Sequence, residues 1–537
     1  MGWLALGVAL LGLAWLLPVN VKSLNPALLK EAGRDSTTTV AFGRALLEMD
    51  KPGPATLVAE AARMIEDPAA PALAQQLAEF GRRHPEMIPW GGWDAVFEPL
   101  LQPKTGVGAT ESQPVLKFLA TRQARETLRL YLSVSRLPGV QTLLKTAGLT
   151  TTKRFVPAHL AGGQPLDAVI LLTACLWQEG HFPSSLQREV RGLAEDAITT
   201  GQMGGIEEFY LDILSLGKRL DWVQLSELLH TATSTGTVAQ FAHLARIVPE
   251  QLPVIYTATL MSGSADAVAR YLIAFGKTGA DNLHQALTFG QGAVEQLVQR
   301  QAPMTPGTGA VFEIGAAFAL SNPELALLAK YGAFLAGIFL LLRSIDLRLF
   351  APLARSAREL AGTLPRMKSG LLALILTFIF FVFSEPYLLK AAPVSEYQLR
   401  LVIPVLGATS ALSSATSDAS ATMNMSTVLS ITVFALVQIL MYVICLLKIS
   451  EIDRRTLPSS LKLRLMDNEE NLFDGGLYIG IAGTATALVL QVLGVIEANL
   501  LAAYSSNLFG IVCVALVKIR HVRPYKHKLI MDSAQLA

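Results

Sequence analysis

From Leu24 to Gln301, apolar residues recur three and four positions apart, the spacing of helices that bury one face. Thr56–Ile65, Ala72–Phe80, Val115–Val134, Leu166–Leu176, Ile206–Leu216 and Leu225–Ala232 all read this way. Turn chemistry separates them at Lys51-Pro52-Gly53-Pro54, Asp67-Pro68, Gly162-Gly163, Gly204-Gly205 and Gly279-Ala280-Asp281-Asn282. Ser36 and Ser264 stand where helices should start. Strand-like alternation is nearly absent. Thr39–Ala62 reads as a helix-turn-helix with small residues at close-packing positions, as in tetratricopeptide-like hairpins, yet no fixed period names a repeat. The pattern predicts short antiparallel helices in a solenoid-like array or a bundle.

Elsewhere the apolar positions run together. Trp3–Val19, Leu325–Leu342, Ser369–Leu389, Ser426–Leu447, Gly475–Ile496 and Asn499–Val517 are nearly continuous. Crossing a hydrocarbon core takes roughly 20 such residues, so each is a candidate span, the first slightly short. Leu401–Leu412, interrupted by Pro404 and Gly407, is too short and reads as interfacial or re-entrant. Ser410–Thr427, with Asp418 its only charge, reads as an outer loop. Lys330 is expected to snorkel from a span end, and Glu385, before Pro386, to reach headgroup water.

The expected fold class is all-α: a multi-span membrane domain plus a large extramembrane helical domain. Four segments follow: 1–20, an N-terminal anchor or signal; 21–324, an exported helical, repeat-like domain; 325–425, spans with a basic loop; and 426–537, a three-span module with a basic tail.

Orientation follows the lysines and arginines of the short loops. Arg343, Arg348, Arg355, Arg358, Arg366 and Lys368 follow one span. Lys448, Arg454, Arg455, Lys462 and Arg464 follow another, and Lys518, Arg520, Arg523, Lys526 and Lys528 fill the tail. The connection Lys390–Met425 holds only Lys390 and Arg400. Basic and poor loops alternate at every crossing, which assigns the basic loops and C-terminus to the cytoplasm of a multi-pass inner-membrane protein. Residues 21–324 then fall in the periplasm or outside the cell. No basic stretch precedes Trp3 and no A-x-A site follows the run, which favours a retained anchor over a cleaved leader.

Composition agrees with a membrane solvent. Mean hydropathy is +0.43 and charged residues make up 16%, against about a quarter in soluble domains. A net charge of +2 and the lack of a basic aromatic-rich stretch argue against nucleic acid as a partner. Expected partners are membrane lipid and proteins bound by the exported domain.

Chemistry-bearing motifs are sparse. Cys175, Cys445 and Cys513 lack metal or disulfide spacing and read as small buried side chains. His84, His159, His181, His230, His243 and His284 form no ligand pattern on one helix face. Gly276-Lys277-Thr278 spells the end of a phosphate loop, but Tyr271 stands where its first glycine belongs. Gly307-Thr308-Gly309 lacks a third glycine, and Ser459 with Lys462 matches SxxK in spelling alone. No enzyme, cofactor or metal is expected.

The last module carries the informative polar residues. Gly480, Gly483, Thr484 and Thr486 open one apolar run; Ser505, Ser506, Asn507 and Gly510 lie in the next. Small residues let helices approach closely in lipid, and hydroxyls or amides either bond across the contact or line a polar path. These are therefore helix-packing or pore-lining candidates.

At Gly480, Gly483 and Thr484, and at Asn507 to Gly510, the module resembles the MotA, TolQ and ExbB proton-channel family. The resemblance covers about a fifth of the chain, residues 426–528. It implies a homopentamer around single-span partners that carry a membrane aspartate. Two departures stand out: Ala487 and Asn507 occupy positions of a family glycine and threonine, and the Lys448–Asp474 loop is short. Two functions follow: a membrane scaffold whose exported domain organises protein partners, or an ion-conducting subunit of an energy-transducing motor.

Overall fold

Helix starts follow local polar chemistry. Thr38, Thr121, Asp221, Ser234 and Ser264 each accept a backbone N–H three residues on, satisfying a donor that the first turn would otherwise leave open. Gly201 and Gly263 end helices in the left-handed region, where a side chain would be strained. The computed structural model describes residues 2–94, 96, 100, 112–305, 313–349, 363–385, 397, 425–492 and 500–535. Leu401–Leu412, the stretch around Asp418 and Gly307–Gly309 lie outside the described residues.

The chain is all-α and has a membrane part. It divides into two compact units: one from Met1–Asn25, Gly307–Ala392 and Arg400–Ala537, the other from Pro26–Pro306 and Pro393–Leu399.

α1 (Gly2–Leu16) belongs to the first of these units; the second begins with α2 (Pro26–Gly33), α3 (Thr39–Glu48), α4 (Pro52–Met64) and α5 (Ala70–Arg83). Next come α6 (Val115–Phe118), α7 (Arg122–Ser133), α8 (Pro138–Lys145), α9 (Gln164–Gln178), α10 (Ser184–Thr200) and α11 (Gly205–Gly217). The unit finishes with α12 (Trp222–His230), α13 (Thr235–Ile247), α14 (Leu252–Ser262), α15 (Ala265–Phe289) and α16 (Gln291–Arg300). The hairpin expected over Thr39–Ala62 is α3 and α4.

Two expectations shift. The single helix read over Val115–Val134 is broken around Leu119–Thr121, where Thr121 caps a new helix. The break read at Gly279–Asn282 falls instead at Gly276 (φ +55), a conformation favourable only without a Cβ. The helix then continues through Asn282, whose Nδ2 donates to the Tyr271 hydroxyl at 2.8 Å.

The ends of this unit meet. α2 packs on α15 and α16, Thr39 Oγ1 donates to the Leu287 carbonyl at 2.9 Å, and the Gln291 N–H donates to the Thr37 carbonyl at 2.9 Å. α14 packs against α4, α12, α15 and α16, so helices distant in sequence share one core around buried Trp222, Tyr256 and Tyr271. An open solenoid keeps its ends apart. This closed arrangement is a bundle.

The membrane unit contains α1, α17 (Glu313–Ser321), α18 (Pro323–Leu349), α19 (Thr363–Ser384) and α20 (Met425–Arg454). It continues with α21 (Ser459–Asn468), α22 (Glu470–Phe473), α23 (Gly475–Val492), α24 (Leu500–Ala515), a π-helical turn over Leu516–Val522, and α25 (Arg523–Gln535). Among the described residues three helical stretches are long and apolar enough to cross a membrane: Pro323–Leu347, Phe434–Arg454 and Tyr504–Ser533. Gly2–Leu16 and Ser369–Phe381 are shorter apolar helices. Packing runs from α1 to α18, α19 and α20, then to the α23–α24 hairpin. α1 and α18 approach closely at glycines: a Cβ on Gly7 would stand 3.0 Å from the Gly337 carbonyl oxygen, and the reverse holds equally.

Candidate functional site

Gly480, Gly483, Thr484, Ser506 and Gly510, singled out in the last module, meet at the α23–α24 contact. A Cβ on Gly480 would lie 2.9 Å from the Ser506 carbonyl oxygen, and one on Gly510 would lie 2.6 Å from that of Gly476. Glycine is therefore needed for this backbone approach. Ser506 is 1% exposed, and its Oγ donates to the Gly480 carbonyl at 3.3 Å; Thr484 Oγ1 donates to the same oxygen at 3.0 Å. A Cβ on Gly483 would meet the ring of Phe434 at 3.1 Å as well as the Ser506 side chain. Ser505 and Asn507 are half-buried, and the Asn507 Oδ1 is buried without a hydrogen-bond partner among the described residues. Thr486 is exposed and takes no part in this contact.

α20 completes the contact through residues that sequence reasoning passed over. Gln438 is 5% exposed; its Nε2 donates to the Gly476 carbonyl at 3.0 Å, while its Oε1 has no partner among the described residues. Cys513 Sγ donates to the Gln438 carbonyl at 3.6 Å. Gln438 is the single side-chain amide of the Ser426–Leu447 run, and that isolation was the available signal. In lipid, such hydroxyl and amide bonds replace the water the groups lack.

A second cluster corrects two expectations. Lys330 does not snorkel: it is 7% exposed, and its Nζ donates to the Val19 carbonyl at 2.5 Å and to Asn20 Oδ1 at 3.0 Å. Glu385 does not reach water: it is fully buried, and its Oε1 accepts from the Val21 N–H at 2.9 Å and from the Tyr331 hydroxyl at 2.7 Å. Among the described residues the Glu385 Oε2 has no hydrogen-bond partner. Lys330 also lies 5.7 Å from the Tyr331 ring centroid. The two charges are buried together because the chain following α1 folds back over α18 and α19 and supplies main-chain partners for both. Opposite buried charges fix geometry when each has partners, and they are costly when one is removed.

In the helical unit, His181 and His230, read as isolated, meet at 3.2 Å between Nδ1 and Nε2. His181 stands edge-on to Trp222, whose Nε1 donates to Asp94 Oδ2 at 2.7 Å. Burial, with help from His230, pulls His181 down to about 4. Nearby, Asp221 caps α12: its Oδ1 accepts the Gln224 N–H at 2.7 Å, and Gln224 Nε2 donates to the Gly53 carbonyl at 2.8 Å. Burial pushes this carboxyl up to about 7, against the lowering pull of the Gln224 N–H.

Among the described residues, no group of three or more histidine, cysteine or acidic side chains is placed to hold a metal ion. Cys175 is buried in α9, and burial raises its thiol well above the usual range. Cys445 and Cys513 are buried as expected. No protein-family model, curated protein or solved structure matches this chain.

Proposed function

We propose that this chain is a multi-pass scaffold of the cell's inner membrane whose helical unit binds or organises protein partners outside the cytoplasm, with the C-terminal tail inside. The observation that carries the reading is at the C-terminal end of α7 and its cap, Val134. Leu130 and Val134, one turn apart, are 72% and 77% exposed, in a unit that buries most of its leucines and valines. Adjacent apolar side chains left in water mark a surface that a partner covers. The alternating basic loops support the orientation. Replacing Leu130 and Val134 with aspartate should abolish crosslinking of the full chain to its partners in intact cells while leaving its abundance unchanged. Unaltered crosslinking would reject α7 as the binding surface.

A second reading, a pentameric ion-conducting subunit with a single-span, aspartate-bearing partner, draws support from Thr486 and Asn507. The first is an exposed hydroxyl on an apolar helix, and the second carries an unpartnered amide oxygen. A particle mass in detergent equal to one or two chains would eliminate it. So would full ion conductance in the Thr484→Val, Asn507→Leu variant.

A further inference from the structure

The π-helical turn after α24 closes one side of a cavity of about 230 Å³ lined by Glu470, Phe473, Lys518, Ile519, Val522, Arg523 and Lys526. Its floor is apolar: Phe473 is 1% exposed and Val522 7%. Its rim is charged and mostly basic, with three cations against one carboxylate. Lys518 is held by Asp474 at 2.8 Å and Glu470 at 3.6 Å, and Lys526 by Asp467 at 2.5 Å. Arg523 is exposed, and among the described residues no ion pair engages its guanidinium. Protein carboxylates thus occupy the two lysines and leave the rim's planar, fork-shaped donor for a ligand.

The approach to this cavity is apolar. Leu508, Val512, Leu516 and Ile519 follow one another at helical spacing and are 59%, 46%, 45% and 68% exposed. One turn beyond Ile519 the side chain is Arg523. A single track therefore changes from hydrocarbon-compatible to cationic within one turn, beside a cavity with an apolar floor. π-turns often mark functional positions, because the widened turn changes which side chains share a face.

We propose that this cavity binds the phosphate of an anionic phospholipid, with Arg523 on the phosphate and an acyl chain along Leu508–Ile519. The match is between two chemistries in fixed order. A soluble phosphate has no use for the apolar track, and a zwitterionic lipid cancels the charge that Arg523 recognises. The proposal needs only that α24 lie in a membrane, and it is independent of which face the tail occupies.

The test uses the full chain, purified in a neutral detergent, with lipid retention counted by native mass spectrometry. Phosphatidylglycerol should be retained in preference to phosphatidylcholine. Arg523→Gln should weaken retention about fivefold, the effect expected of one basic residue at a lipid surface. Ile519→Glu, an exposed change on the apolar side of the cavity, should weaken it comparably. Millimolar inorganic phosphate should not displace the lipid. Equal retention of phosphatidylcholine, unchanged binding by Arg523→Gln, or displacement by inorganic phosphate would each overturn the proposal.

Discussion

The Lys330 ammonium donates to the carbonyl oxygen of Val19 at 2.5 Å, joining positions 311 apart in sequence. The same short segment gives the Val21 N–H to Glu385 at 2.9 Å. The chain that follows α1 thereby holds two buried charged groups, Lys330 and Glu385, and α1 is tied into the membrane unit by more than apolar contact.

Removing one charge should therefore hurt more than removing both. Lys330→Met removes the cation near Glu385 and leaves the buried Val19 carbonyl without its donor, and should cost about 1–3 kcal/mol. Adding Glu385→Gln should restore part of that loss, since an amide oxygen still accepts from Val21 and Tyr331. Thermal unfolding of the three variants in detergent measures this. A double variant less stable than Lys330→Met would refute the coupling.

At the α23–α24 contact, size should matter more than hydrogen bonding. Gly480→Leu drives a side chain into the Ser506 backbone and should greatly lower resistance to denaturation by dodecyl sulfate. Ser506→Ala removes one hydroxyl bond and should cost only about 0.6 kcal/mol, the average for such bonds in membrane helices. Comparable losses in the two variants would contradict this ranking.

Asp221 and His181 should act on the helical unit with opposite signs of pH dependence. Burial holds Asp221 at about 7 when folded, above an ordinary carboxyl, so unfolding releases its proton and the unit loses stability as pH rises from about 4 to about 7. His181, held near 4, does the reverse: its stabilising contribution is lost as pH falls through roughly 6.5 to 4. Asp221→Asn keeps a side-chain oxygen for the Gln224 N–H and removes only the first effect. Its stability relative to the parent should rise by about 1.4 kcal/mol per pH unit across pH 4–7. Chemical denaturation at several pH values tests this, and a difference that does not vary with pH would count against it.

Gly91 should tolerate no side chain. Its φ is +80, and a Cβ there would run into the Asp221 carboxyl group. Gly91→Ala should destabilise the unit by about 1–3 kcal/mol, combining backbone strain and collision. Gly192 lies inside α10 with nothing within 4 Å of an added Cβ, so Gly192→Ala should instead stabilise by about 0.5–1 kcal/mol. Two calorimetric scans decide both signs.

Helical spacing, capping residues and long apolar runs are local signals, and they sufficed for the all-α class, the positions of most helices and the presence of a membrane part. The small and hydroxyl residues of Gly480–Gly510 were also legible, because glycine, serine and threonine are conspicuous in an apolar run. What those groups bond to was not. That Ser506 and Thr484 share the Gly480 carbonyl, or that Gln438 reaches Gly476, depends on which helices pack together. Lys330 and Glu385 were misread for the same reason: a charge near a span end reaches water unless another segment covers it, and the covering segment follows α1, hundreds of residues away in the chain. His181 meets His230, and α2 meets α16, by the same long-range route. Periodicity encodes which face of a helix is buried; only tertiary packing decides what that face is buried against.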